Sequence, residues 1–330
     1  MNRDNYVVRA SIASLAALGL HDLEIKFPMH TLYLLQYSRE GCLAGCLFCS
    51  QSRMCPIDKK FLSRITWPTI QLNRFIEALK DRERDVRRIC IQSILKRGFI
   101  QEIIDIVDHI RSQGIDKPIS VAVTPVSRKY LYCLRDLGVD YIGIGLDTSS
   151  PQLFRVMGKP YSWRVYMDFI RDAVSVFGEK HVYVHLIVGL GEKPKEIIDT
   201  IYKLIGMGAS IALFAYTPLR GLRLKLERPS IGYYRSIQIL LYYLNMGYRP
   251  SDIVYIDNGR ILVKRDIIDA IINEVDRYLK VFLTTGCPYC NRPYYNESPR
   301  GPFYNYYSID HVLRYIDELR NELLMIRGDR

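Results

Sequence analysis

Six times between residues 31 and 243 a short β-patterned run leads into a helix-patterned one, and this alternation constrains the fold more than any other feature of the chain. The β-patterned runs are 31–37 (TLYLLQY), 88–94, 119–123, 141–146, 182–188 and 211–216. The helical runs are 72–80, 99–113, 127–137, segments within 151–177, 195–207 and 233–243. Within 99–113, for example, Ile103, Ile104, Val107 and Ile110 fall on one face at helical spacing. Crossovers this long join parallel strands in βαβ units. The expected fold class is therefore α/β, with a parallel sheet either doubly wound or closed as a barrel. From residue 252 the rhythm changes to short pieces: strands at 253–256, 261–263 and 281–284, helices at 266–278 and 308–325, and a turn-rich stretch at 286–307. The expected division is an N-terminal helical segment (1–30, with an amphipathic helix at 12–20), a six-unit core (31–250) and a C-terminal extension (251–330).

In parallel α/β folds the working residues lie where strands end. The first strand ends in a loop carrying Cys42, Cys46 and Cys49, a C-x3-C-x2-C spacing. Three thiolates on one tight loop can hold three irons of a [4Fe-4S] cube and leave the fourth without a protein ligand. A closed structural site fills all four positions, so this loop points to a cluster that binds something else; a zinc loop or three unrelated core thiols is the alternative. The other strand ends are Gln92-Ser93, Asp147-Thr148-Ser149, Gly189-Leu190-Gly191-Glu192 and Tyr216-Thr217-Pro218, which outline a polar mouth on one rim.

Composition narrows the setting. Hydrophobic content of 48% and charged content of 25% suit a soluble globular protein. No apolar run reaches the length of a membrane span, and nothing reads as a signal peptide. Eight cysteines without a secretory signal imply a cytoplasmic, reducing setting in which thiols bind metal. The net charge of +11 favours acidic partners. Arg82, Arg84, Arg87 and Arg88 form the densest basic run and read as a solvated helix end or a contact patch. Nucleic acid is not expected, because no RNA-binding motif or basic stripe accompanies the charge.

The cysteine spacing, with Phe48 before the third thiol, resembles the radical S-adenosylmethionine (SAM) superfamily, in which the free iron chelates SAM. The stretches LDTS (146–149) and IVGLGE (187–192) are similar to its biotin-synthase-like branch. Over about 32 to 221 this resemblance implies a partial (β/α)6 TIM-like barrel. It implies that Asp147 hydrogen-bonds the SAM ribose, that Gln92 and Ser93 lie near the methionyl ammonium, that Gly189 and Gly191 let the backbone approach the ligand, and that Phe48 packs near the adenine. On the residues alone, Asp147 could instead cap the next helix and the glycines could be turn residues. Unlike biotin synthase, the third and fifth strands carry no Cys, so a second cluster of that kind is not expected.

The tail holds a second cysteine pair, Cys287-Pro288-Tyr289-Cys290, in a Pro/Gly turn typical of a metal hairpin. The run from Cys290 to Tyr306 resembles the archaeal-type two-protein lipoyl synthases. That resemblance implies insertion of sulfur, as a sulfurtransferase, into an octanoyl chain on a lipoyl carrier protein or domain. It also implies a second [4Fe-4S] auxiliary cluster, a second radical SAM component and an electron donor such as ferredoxin. Cys287 and Cys290 are the expected auxiliary ligands, Cys90 the third because it would face the barrel lumen, and Cys55 its rival. Cys133 reads as core. Asn291 and Arg292 could position the cluster or a substrate carbonyl, or simply stabilise the loop. Glu297, Tyr294, Tyr295, Tyr304 and Tyr306 are expected to pack the tail across the mouth, and His185 either enters the lumen or sits satisfied in the core. The alternative is a biotin-synthase-like enzyme of another reaction type, with zinc or another structural metal at the tail pair.

Overall fold

The structure is a computed structural model and describes residues 6–329. Its strands are β1 (Val7–Ala10), β2 (Thr31–Gln36), β3 (Phe61–Leu62), β4 (Ile65–Thr66), β5 (Thr69–Gln71), β6 (Arg88–Gln92), β7 (Ile119–Val123), β8 (Val139–Asp147), β9 (Val182–Val188), β10 (Ser210–Ala215), β11 (Val254–Asp257) and β12 (Arg260–Val263). One eight-stranded sheet runs β10-β9-β8-β7-β6-β2-β1-β5. Its six central members, β2 and β6 to β10, pair in parallel. They are the six runs expected from the sequence and form a partial TIM-like (β/α)6 barrel.

Strand side chains alternate between two environments. On β9, Val182, Val184, Leu186 and Val188 are buried against the outer helices, while Tyr183, His185 and Ile187 line the lumen. On β6, Ile89 and Ile91 face outward and Cys90 and Gln92 face in. Helices Leu72–Asp81, Phe99–Ser112, Arg128–Asp136, Trp163–Phe177, Pro194–Gly206 and Ile231–Asn245 supply the outer layer. In Phe99–Ser112, Ile103, Ile106, Val107 and Ile110 are at most 1% exposed, each contributing about 1.5–3 kcal/mol by burial. The inward positions are small or polar at Gly143, Gly145, Ser120 and Ala122, so the lumen is not filled. It encloses about 300 Å³.

The tail completes this lumen. The Leu213 amide on β10, the free edge of the parallel set, donates to Thr285 Oγ1 (2.8 Å), and Arg292 Nη2 donates to Thr285 O (2.6 Å). At the other side Thr31 Oγ1 donates to Tyr289 O (2.8 Å), and the Tyr33 hydroxyl accepts from the amides of Asn291 and Arg292 (3.2 Å each). The segment 285–292 thus bridges β10 to β2. Arg235, fully buried in helix Ile231–Asn245, fastens the chain beyond that bridge by donating to Phe303 O (2.6 Å) and Tyr304 O (2.7 Å).

Several sequence expectations need correction. The N-terminal segment contributes a strand, β1, antiparallel to β2 and β5, before its short helix Ile12–Ala17. The run 281–284 is not a strand: Leu279–Phe282 is a 3-10 helix, and only Leu283 bridges to Tyr306. The helices expected at 266–278 and 308–325 are each broken once, at Glu274 and Tyr315, where φ falls to −122° and −119°. Cys133 is exposed rather than core. Arg88 is 3% exposed, so it is no part of a solvated basic run. Among the described residues no helix is long and apolar enough to cross a membrane.

Candidate active site

The loop leaving β2 closes one end of the lumen, where Cys42, Cys46 and Cys49 all line the cavity with Phe48, Gln92, Ser93 and Asp147. Backbone bonds fix it: the Cys42 amide donates to Gln51 O (2.6 Å), the Cys49 amide to Cys46 O (3.2 Å), and the Leu95 amide to Cys42 Sγ (3.2 Å). Gly158, at φ +70°, presses on this loop so closely that a Cβ there would stand 2.6 Å from Gly45 O. Burial, opposed by Lys159, holds the Cys46 thiol up at about 11. Burial with repulsion from Cys46 and Cys42 pushes Cys49 up to about 12. All three thiols face one cavity from one loop, a donor set that fits three iron corners of a cluster.

Asp147 ends β8 in the left-handed region, with φ +67°. It does not cap the next helix; the Ser150 hydroxyl does, accepting from the Leu153 amide (3.3 Å). The Asp147 carboxylate instead meets Lys159, whose Nζ lies 2.6 Å from Oδ2 and 2.7 Å from Gly145 O. Burial alone would lower the Lys159 ammonium, but Asp147, then Tyr166 and Cys46, raise it above its usual value. Lys159 also lies 6.0 Å from the centre of the Phe48 ring. No motif marks Lys159; its partner becomes visible only once Asp147 turns left-handed.

Gly189 and Gly191 do adopt positive φ, +96° and +97°, but neither lines the lumen. Glu192 accepts from the amides of Gly189 and Leu190 (2.8 Å each), and a Cβ at Gly189 would come 2.7 Å from Pro229. The close approach made there is that of Pro229. His185 does line the lumen, and burial lowers its pKa to about 4, so it is neutral at neutral pH.

At the opposite end, where the parallel strands begin, a second trio converges. Cys90 from β6 and Cys287 and Cys290 from the tail line the same lumen. Burial, then the two tail thiols, raise the Cys90 pKa well above its usual value, and burial with Cys290 takes Cys287 to about 12. Arg88 braces this floor: Nε donates to Pro288 O (3.0 Å), Nη1 to Ser120 Oγ (2.8 Å), and the guanidinium pairs with Asp140 (2.6 Å). The Tyr33 hydroxyl lies 3.6 Å from Cys290 Sγ. Cys55 is buried in the loop after the first trio and does not line the lumen; the structure brings Cys90, not Cys55, to the tail pair. Among the described residues, no three Cys, His, Asp or Glu side chains are grouped as around one metal ion; ligands to separate corners of a cube stand further apart.

The remaining tail residues divide. Arg292 lines the lumen with its guanidinium 3.7 Å from the centre of the Phe214 ring, and its Nε and Nη1 have no hydrogen-bond partner. Asn291 is structural, donating to Pro28 O (2.6 Å). Glu297 is buried, accepts from the amides of Asn305 and Asn296, and braces the tail rather than the mouth. Its carboxyl is raised by burial, with the Asn305 bonds opposing. Of the four tyrosines, Tyr295 lines the lumen, Tyr294 stacks edge-on with Phe27 and Tyr307, and Tyr304 and Tyr306 are core.

The sequence profile of the radical SAM superfamily matches residues 38–204. This chain belongs to the radical SAM superfamily. Membership implies a [4Fe-4S] cluster and SAM as its bound substrate. Among solved structures it is similar to methylornithine synthase (PylB), at 14% identity over 90% of this chain and 83% of that one, with TM-score 0.52. It is similar also to HydG, a maturase of the [FeFe]-hydrogenase, at 12% identity over 69% of this chain and 56% of that one, with TM-score 0.51. HydG from Carboxydothermus hydrogenoformans matches at 18% identity over 66% of this chain, with TM-score 0.49, and this chain spans 52% of its length. At these identities the likeness is one of fold. No curated protein matches the sequence.

Proposed function

We propose that this radical SAM enzyme inserts sulfur into a protein-bound octanoyl chain, as one component of a two-protein lipoyl synthase. The observation that carries the reading is the placement of Cys90, Cys287 and Cys290 at one end of the lumen whose other end holds Cys42, Cys46 and Cys49. C–S bond formation at an unactivated carbon needs a hydrogen abstractor and a sulfur donor on either side of one substrate. Two trios facing each other across about 300 Å³ suit that requirement.

When bound, the cluster and SAM supply the one-electron C–H activation that no side chain can supply. The chain's residues bind and orient. Cys42, Cys46 and Cys49 hold three irons. Asp147, fixed by Lys159, accepts from the ribose hydroxyls; Gln92 and Ser93 meet the methionyl ammonium; Phe48 packs against the adenine. Cys90, Cys287 and Cys290 would hold an auxiliary cluster, which would supply the sulfur, with Arg88 offsetting its negative charge. His185, neutral, adds no positive charge to the lumen. A ferredoxin-like donor, the second radical SAM component and an acidic octanoylated carrier are the implied partners, the last matching the +11 charge.

The other reading is a superfamily member of different reaction type with a structural zinc knuckle at Cys287 and Cys290. A knuckle formed by the tail alone has no use for Cys90, which favours the first reading. Counting iron and sulfide in the anaerobically reconstituted protein separates them: about eight irons per chain for two cubes, about four for one. The double variant Cys287→Ala/Cys290→Ala should fall from about eight to about four. A wild-type count near four, with zinc present, would overturn the sulfur-insertion reading.

A further inference from the structure

A second cavity, of about 330 Å³, lies beside the lumen. It is lined by carbon from the N-terminal segment (Leu23, Ile25, Phe27, Met29), from Ile65 and Trp67, and from the tail (Pro293, Tyr294, Pro299). Tyr33, Arg292 and Tyr295 line both cavities and are therefore the wall between them. Leu23, Glu24, Lys26 and Pro299 line the second cavity and are also exposed, so it reaches the surface there. Of the charged residues lining that mouth, Lys26 and Glu24 are both exposed.

The dividing wall holds an unmet polar group. Arg292 Nη2 donates to Thr285 O, but Nε and Nη1 have no acceptor, although both are buried. Buried N–H groups left unpaired are destabilising, which points to an acceptor supplied from outside the chain. Apolar lining on one side, a cation at the wall and the thiol-bearing lumen beyond would suit, in turn, an alkyl segment, a carbonyl and a second alkyl segment.

We propose that the second cavity is a side entrance for an Nε-acyl-lysine arm. The lysyl methylenes lie in the second cavity, the amide carbonyl accepts from Arg292, and the acyl chain extends into the lumen between the two thiol trios. The carrier that bears the lysine sits outside the exposed mouth formed by Leu23, Glu24, Lys26 and Pro299. This placement rests on the acyl-substrate reading above, and adds to it the path the arm takes and the residue that sets how deep the chain reaches.

Calorimetric titration of the full-length, reconstituted protein, with SAM and without reductant, tests it using Nα-acetyl-Nε-octanoyl-lysine methylamide as the probe. Ala13→Leu, which narrows the second cavity, and Leu23→Tyr at its exposed mouth should each weaken binding about tenfold or more, and Arg292→Gln by a similar factor. Leu23 is 42% exposed, so its substitution is compatible with the fold even if Ala13→Leu is not. Ala122→Phe, inside the lumen, separates the two ideas. Binding lost in Ala122→Phe but unchanged in Leu23→Tyr and Arg292→Gln overturns the side entrance and leaves the acyl substrate standing. No binding of the probe to the wild-type protein overturns both.

Discussion

At the scale of single residues, the Lys159–Asp147 pair is the most exposed to test. Their side chains are 6% and 15% exposed, so each charge depends on the other. Lys159→Met leaves a buried carboxylate unpaired and should cost about 3–5 kcal/mol in urea unfolding. The double variant Lys159→Met/Asp147→Asn removes both charges and should recover most of that loss; a double-variant loss equal to the sum of the two single losses would show that the pair is not coupled. Sequence alone showed Asp147, because a carboxylate at a strand end stands out. It did not show Lys159, because nothing in a Gly-Lys-Pro turn indicates that its ammonium will fold back onto β8. Cys90 was legible for a simpler reason: in a strand of alternating apolar residues, the odd position faces in.

Elements tell a similar story about what is local and what is not. The parallel strands and their helices follow from periodicity that each segment carries by itself. β1 escapes such a reading because its four residues, VVRA, are defined by partners on β2 and β5 far along the chain. The apolar run at 281–284 misleads in the opposite sense: it has strand composition but makes only the single bridge Leu283–Tyr306, and its first half buries itself as a 3-10 turn. The tail is therefore held by side chains rather than by a ladder, and Arg235 is its chief fastening. Arg235 donates to Phe303 O, Tyr304 O, Gln238 and Glu322, so Arg235→Ala strands several buried acceptors. We expect a loss of about 3–5 kcal/mol and early proteolytic cleavage within 286–303. Cleavage unchanged from wild type would mean the tail is anchored elsewhere.

For the whole molecule, stability and chemistry share the lumen. Burial holds both His185 and His311 at about 4, below the ordinary value of 6.5. The unfolded chain therefore takes up protons from about pH 6.5 downward while the folded chain does not until about pH 4. Stability associated with these histidines is complete above about pH 6.5 and falls toward pH 4, by at most about 1.4 kcal/mol per pH unit for each. Glu192 and Glu297, raised by burial, act in the opposite sense as pH rises, so the comparison with variants isolates the histidines. His185→Gln/His311→Gln should show a flatter decline in unfolding free energy between pH 6.5 and 4.5; an unchanged slope would contradict neutral, buried imidazoles.

The lumen with a thiol trio at each end is what ties fold to function, and mass spectrometry of a substrate reads it most directly. The reconstituted protein, SAM, a reductant and an octanoyl-lysine peptide are incubated anaerobically, and the peptide is weighed. Two trios working on one chain predict a gain of one sulfur atom, abolished in Cys287→Ala/Cys290→Ala while SAM cleavage continues. SAM cleavage with a peptide of unchanged mass, in the wild-type protein carrying two clusters, would contradict sulfur insertion.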